Sequence, residues 1–223
     1  KSQEKKDAKS EEAHKNDVKI MEGFMYAFHP QFDRIQNIIQ SNILGELSYA
    51  HSMFSFPIQP ARHYRINRTI ENGGGALWDI GPYAIHTIRS CFKENPLRVY
   101  GQSKLNEHGA DISTTGMIDF GLNKKATFDI SFECIRRSEF EVFGLNGRLK
   151  CPLVWQPDNL PAKIIYSTEK SGIKEEIVQT VNHFNLEIDH FNSAIIRGES
   201  VKLKGKDAIW NAKTLEAIQK SIL

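Results

Sequence analysis

Lys125 to Glu133 reads KATFDISFE, with Ala126, Phe128, Ile130 and Phe132 alternating with Thr127, Asp129 and Ser131. A repeat of two belongs to an extended chain, whose successive side chains leave on opposite faces. One face of this strand is therefore apolar and packed on a core, and the other meets solvent or a partner. A strand covered on both faces would be apolar throughout, so the pattern argues for an antiparallel sheet with one open side. Asn123 and Lys124 lie in the tight connection to the preceding run, Ile112 to Phe120, which predicts a hairpin.

Further runs on either side have the same character. Leu97 to Leu105, Phe140 to Leu145, Lys163 to Thr168 and Lys174 to Thr180 read as strands. Glu46 to Phe56 reads as another, ending at Pro57, and Val18 to Met25, VKIMEGFM, as a short buried one. Helical spacing appears after Pro30, where Phe32, Ile35, Ile38 and Ile39 predict a helix over Gln31 to Gln40 with Gly45 as a stop signal. Two helices close the chain. One carries the stripe Phe184, Ile188, Phe191 and Ile195 before Gly198; the other carries Ile209, Ala212, Leu215, Ile218 and Ile222. The fold class is α+β: a large, mostly antiparallel open β-sheet with helices packed on one face.

The 223 residues, 40% of them hydrophobic, suffice for a sizeable core. With 29 basic against 27 acidic residues, the charge balance favours neither nucleic acid nor a membrane surface as partner. Cys91, Cys134 and Cys151 are odd in number and widely spaced, which suits a reducing compartment and argues against a disulfide framework or structural zinc. No apolar run reaches the roughly 20 residues that span a bilayer, and the first residues are charged; a cytoplasmic location is expected. Lys1 to Asn16 is nearly all polar and reads as a solvated helix or a tail.

The densest chemistry lies in Gly73 to Arg89, GGGALWDIGPYAIHTIR. Asp79, Tyr83 and His86 fall at i, i+4 and i+7, one polar stripe if the segment is a continuous helix, while Leu77, Ile80, Ala84, Ile85 and Ile88 cover its other faces. Two readings are open. The stripe is internal hydrogen bonding of a packed helix, or it faces a cleft where Tyr83 exchanges a proton with a reacting oxygen and Asp79 orients it. Three glycines in front permit a sharp corner or close approach to a ligand. The long segment from Pro57 to Gly75 ahead of them holds Arg62, His63, Arg65, Asn67 and Arg68. The chain has no G-x-G-x-x-G, no phosphate-binding P-loop, no G-x-S-x-G elbow and no set of histidines and carboxylates at metal spacing.

EGFMYAFHPQ at Glu22 to Gln31, ILGE at Ile43 to Glu46, GGGALWDIGPY with Arg89, and FGLNGR at Phe143 to Arg148 stand in an order and separation that resemble the glucose-fructose oxidoreductase and inositol dehydrogenase (Gfo/Idh/MocA) family. The likeness runs from about Val18 to the terminal helix. It implies a Rossmann domain binding NAD or NADP, followed by a C-terminal α+β domain that binds substrate and forms oligomers through its sheet. On that likeness residues 1–20 correspond to the last helix and strand of a Rossmann domain, and residues 21–223 to the substrate-binding and oligomerisation domain. Asp79 and Tyr83 match the family's D-x-x-x-[YH] pair, with Tyr83 as proton donor or acceptor. Arg65, His86, Tyr26 and His29 are implied to bind substrate, a sugar, polyol or dihydrodiol oxidised or reduced at a CH–OH group. The family's lysine lies in an E-K-P motif that this chain does not contain, and Ala27 stands where many relatives have arginine. The resemblance therefore implies that the chain by itself binds no dinucleotide tightly and performs no redox step. The alternatives are a non-catalytic module that self-associates or binds a polyol, and a cofactor half supplied by a separate polypeptide.

Overall fold

A computed structural model describes residues 8–155 and 160–223, apart from 10 and 14. Eight strands form one sheet in the order β2-β3-β4-β1-β5-β6-β7-β8. They are β1 (Leu47–Ser55), β2 (Arg98–Leu105), β3 (Asp111–Gly121), β4 (Lys124–Ser131), β5 (Arg137–Gly144), β6 (Gly147–Cys151), β7 (Ala162–Thr168) and β8 (Gly172–Val178). Every pairing is antiparallel except β1 with β4, where Phe54 stands beside Ile130. The helices are α1 (Pro30–Gln40), α2 (Ala76–Asp79), α3 (Gly81–Phe92), α4 (His183–Ile196) and α5 (Gly205–Ile222). Helix α3 lies across β1, β4 and β5, α5 across β2, and α1 across β7, so the helices share one face of an open sheet.

The alternation in β4 explains this layering. Ala126, Phe128 and Ile130 are fully buried, whereas Thr127 and Asp129 point to the uncovered side. Phe54 of β1 stacks on Trp155 with ring centroids 4.7 Å apart, and both are buried at the centre of the core. At Gly116 of β3 a Cβ would fall 2.4 Å from the Phe128 ring, so the ring crosses the strand where a side chain is missing. The β3–β4 hairpin turns on Leu122 and Asn123, both at positive φ (47° and 64°), the geometry of a primed two-residue turn.

Four expectations are corrected. Residues 18–24 form no strand: the Val18 N–H goes to the Ala13 carbonyl and the Glu22 N–H to the Leu203 carbonyl, and the chain then coils into a 3-10 helix at Met25–Phe28. Gly73 to Arg89 is not one helix. It is a single turn, α2, a break at Ile80 (φ −112°), and then α3 with Pro82 in its first turn. Pro82 has no N–H to donate to the Trp78 carbonyl and its ring crowds that carbonyl, so the helix restarts. Strand β6 is additional: Leu145 and Asn146 make a tight turn that brings Gly147 opposite Gly144. The stripe on α4 does not pack inward, since Phe184 is 52%, Ile188 56% and Ile195 55% exposed, and the helix is anchored by His183 and Ala194. Within the polar N-terminal segment, residues 8, 9, 11–13 and 15 are helical; 1–7, 10 and 14 lie outside the described residues. Among the described residues no helix is long and apolar enough to cross a membrane.

Candidate active site

Helix α3 presents Tyr83 from its first turn. The ring is held edge-on by Phe24 (centroids 5.4 Å apart) and Phe54 (5.7 Å) and lies 6.1 Å from Tyr26, and the side chain is half-buried. Just before the helix break, Asp79 pairs through Oδ2 with Nη1 of Arg65, which comes from the 3-10 helix Pro60–Arg65. Burial raises the Tyr83 phenol above its ordinary value, and the nearby charges of Asp79 and Glu187 raise it further; Arg65 opposes them. A phenol so placed keeps its proton at neutral pH and gives it up only to a stronger base, such as a developing alkoxide.

Tyr26 and His86 lie deeper. Tyr26 is fully buried and His86 is 3% exposed. The Tyr26 hydroxyl is 2.5 Å from His86 Nδ1, and the other ring nitrogen, Nε2, lies 3.2 Å from Asp207. The Thr87 hydroxyl sits 2.8 Å from Tyr26 Oη and accepts the indole N–H of buried Trp155 at 2.8 Å. Asp207 also takes Arg89 at 2.9 Å. Burial works against the Asp207 carboxylate, but His86 and Arg89 together outweigh it and hold the group below its usual range. Both ring nitrogens of His86 are thus engaged within the protein, and its ring stacks on Phe24 at 4.6 Å. The expected polar stripe is split: Asp79 and Tyr83 remain partly exposed, whereas His86 ties α3 to Tyr26 and α5. A separate cleft of 670 Å³ beside His86 is lined by Phe32, Gln36, Ser90, Lys202 and Asp207, with no contribution from Tyr83, Asp79 or Arg65.

His29 caps α1, its Nδ1 accepting the Gln31 N–H at 3.1 Å. It is 1% exposed, its ring is 6.1 Å from that of His183, and among the described residues Nε2 has no partner. Burial, then His183, lowers its pKa to about 4, so the imidazole is neutral. Sequence reasoning missed Glu187, on α4. Its position among apolar residues gives no sign that it faces Tyr83, and burial raises its carboxyl. Asp207 was missed for the same reason: only tertiary contact reveals it.

The glycine corner does not suit a dinucleotide pyrophosphate. Such a cradle needs free amides at the start of a helix, and here the N–H groups of Gly73, Gly74 and Gly75 go to the carbonyls of Ile70, Thr69 and Arg65. The helix behind these glycines, α2, is a single turn of four residues. The described residues offer no nicotinamide-nucleotide cradle at this corner.

A D-xylose 1-dehydrogenase (NADP⁺) of Haloferax volcanii is 28% identical over 207 residues, which are 92% of this chain and 62% of that protein. The dTDP-3,4-didehydro-2,6-dideoxy-alpha-D-glucose 3-reductase of Actinomadura kijaniata is 24% identical over 202 residues, 90% of this chain and 60% of that protein. The chain therefore spans about three fifths of the length of these relatives. An aldose-aldose oxidoreductase from Caulobacter crescentus has the same fold, with a TM-score of 0.88 over 99% of this chain and 66% of its own, at 18% identity. The family model of the GFO/IDH/MocA C-terminal domain matches residues 32–150, more than half of the chain. With its eight-stranded open sheet and its helices on one face, the chain belongs to the GFO/IDH/MocA family.

Proposed function

We propose that this chain is the substrate-binding part of an NAD(P)-dependent oxidoreductase acting at a CH–OH or carbonyl carbon of a sugar, polyol or dihydrodiol. The observation that carries the reading is the half-buried Tyr83 phenol beside the Arg65–Asp79 pair, its proton retained by burial and charge. Hydride transfer is the nicotinamide's chemistry, and among the described residues the Gly73–Gly75 corner has no free amides to cradle that group. The chain's own part is at oxygen: the protonated Tyr83 gives its proton as a carbonyl is reduced, and the phenolate left behind takes one back as an alcohol is oxidised. Asp79 keeps the phenol protonated until that moment, and Arg65 fixes Asp79. Names of relatives that act on xylose and on a didehydro-dideoxyglucose support a sugar.

The exposed apolar stripe of α4 belongs to the same reading. Phe184, Ile188 and Ile195 flank Glu187, and a stripe of that size in water marks a contact surface. We place a nicotinamide-binding partner domain there. The test is turnover of NADPH or NADP⁺ by the protein carrying both parts, against a panel of aldoses, keto sugars, inositols and dihydrodiols. Turnover of at least one sugar class supports the reading, and inactivity across the panel contradicts it. The chain on its own is expected to give none.

A further inference from the structure

We propose that Asp111 is a positioning residue for the Tyr83 site: its buried carboxylate fixes the single-turn helix α2 that carries Asp79, and the glycine corner that brings Arg65 onto Asp79. This rests on the proposed role of Asp79 and Tyr83 in proton transfer. Asp111 opens β3 and is fully buried. Its Oδ2 accepts the Leu77 N–H of α2 at 2.8 Å and the Thr114 hydroxyl at 2.7 Å. Gly75 lies flat against the same residue at φ 96°; a Cβ there would fall 1.9 Å from Asp111 Oδ1 and 2.6 Å from its carbonyl oxygen. The Gly75 N–H in turn donates to the Arg65 carbonyl at 2.8 Å. A circuit closes: Arg65 backbone to Gly75, Gly75 against Asp111, Asp111 to Leu77, and Asp79, two residues on, back to the Arg65 guanidinium.

The hairpin turn before Asp111 grips the same loop. Asn106 Nδ2 donates to the Ile66 carbonyl at 2.7 Å, its Oδ1 takes the amides of His108 and Ala110, and the Ile70 N–H reaches the Gly109 carbonyl at 2.9 Å. The loop bearing Arg65 is thus docked on the β2–β3 turn at three places, and Asp111 alone among them also holds α2. A buried carboxyl is costly where a neutral cap would serve. Burial pushes it up to about 7, against the lowering effects of Thr114 and the amides of Leu77 and Asp111 itself; no charged side chain contributes.

The experiment follows backbone amide exchange and the Arg65 side-chain N–H resonances of the whole chain by NMR, in the native, Asp111→Ala, Asp111→Asn and Asp79→Asn forms. The proposal expects Asp111→Ala to speed exchange at Leu77 at least about tenfold and to move the Arg65 resonances to where Asp79→Asn puts them, with Phe128 and Ile130 still protected. Asp111→Asn, which keeps an acceptor, should restore both. Arg65 resonances unmoved while Leu77 exchanges freely would overturn the proposal, as would an asparagine that rescues no better than alanine. Should Asp111→Ala not fold, the native protein's titration decides. The Leu77 amide and Arg65 moving together near pH 7 supports the circuit; a Leu77 amide that stays still, or moves alone, sinks it. None of these readouts needs turnover, so they hold or fail separately from the functional reading.

Discussion

Tyr83 is a phenol on which burial and charge act in the same direction. Its pKa is raised, so the protonated form persists through the whole neutral range, and carbonyl reduction that needs this proton is lost only as pH rises through the raised value. Asp79→Asn removes one of the raising charges and frees Arg65, which lowers the phenol. The alkaline limb of the pH–rate profile is therefore expected to move to lower pH, and a limb that stays or moves up would contradict the assignment. Asp111 has the opposite bearing on stability. Its folded-state pKa of about 7 exceeds the ordinary 3.8, so the folded state holds the proton more tightly. The stabilisation is complete below the unfolded value and is lost as pH rises through about 7, with a slope of up to about 1.4 kcal/mol per pH unit in between. Urea midpoints measured across that window should fall more steeply with pH in the native protein than in Asp111→Asn, and parallel slopes would refute this. At this scale Asp79, Tyr83 and Arg65 could be singled out as candidates because they lie within one short stretch and match a motif, and the pairing of Arg65 with Asp79 is what the structure adds. Glu187 and Asp111 were not, because their meaning comes from partners far along the chain: Leu77 is 34 residues from Asp111.

At the scale of elements, strands and hairpins followed from alternation and turn residues, and α1 from its spacing and Pro30. The helix through Gly73 to Arg89 was misread because apolar periodicity continues across the break; Pro82 was the signal, and it acts through backbone geometry rather than hydrophobic pattern. The break is useful: it leaves Asp79 on a turn that the β2–β3 hairpin controls, and Tyr83 on a helix that the core controls. Thr87 is the link between that helix and the buried Tyr26 and Trp155. Thr87→Val leaves the Trp155 N–H without its acceptor in a dry core, at an expected cost of about 1–3 kcal/mol, read as a lower urea midpoint at unchanged m-value. Gly116→Ala drives a methyl into the Phe128 ring and is expected to cost a similar amount or more.

Across the whole molecule, alternation in β4 correctly announced a one-sided sheet, and its apolar residues are the covered ones. Phe128 and Ile130 lie beneath the protein's own helices. The open face carries Thr127, hydrogen-bonded to Tyr49 and His51, and Asp129, Glu139, Glu141 and Lys150 in ion pairs, with Tyr100 and Met117 opposite one another and 57% and 50% exposed. We propose self-association through that mixed polar and aromatic face. Light scattering should give a mass of at least twice 25.4 kDa, and a clean monomer at high concentration would remove the idea. The sheet was legible because it is built from local hairpins; the exposure of the α4 stripe was not, since spacing shows that a face is apolar and cannot show what covers it.

The most direct test of the central claim, that Tyr83 is the proton donor of a sugar oxidoreductase, is the turnover of Tyr83→Phe in a protein carrying both this domain and the proposed nicotinamide-binding part. Loss of a single hydroxyl is expected to lower kcat by roughly 10²–10⁴-fold with KM little changed. A variant that keeps native kcat would contradict it.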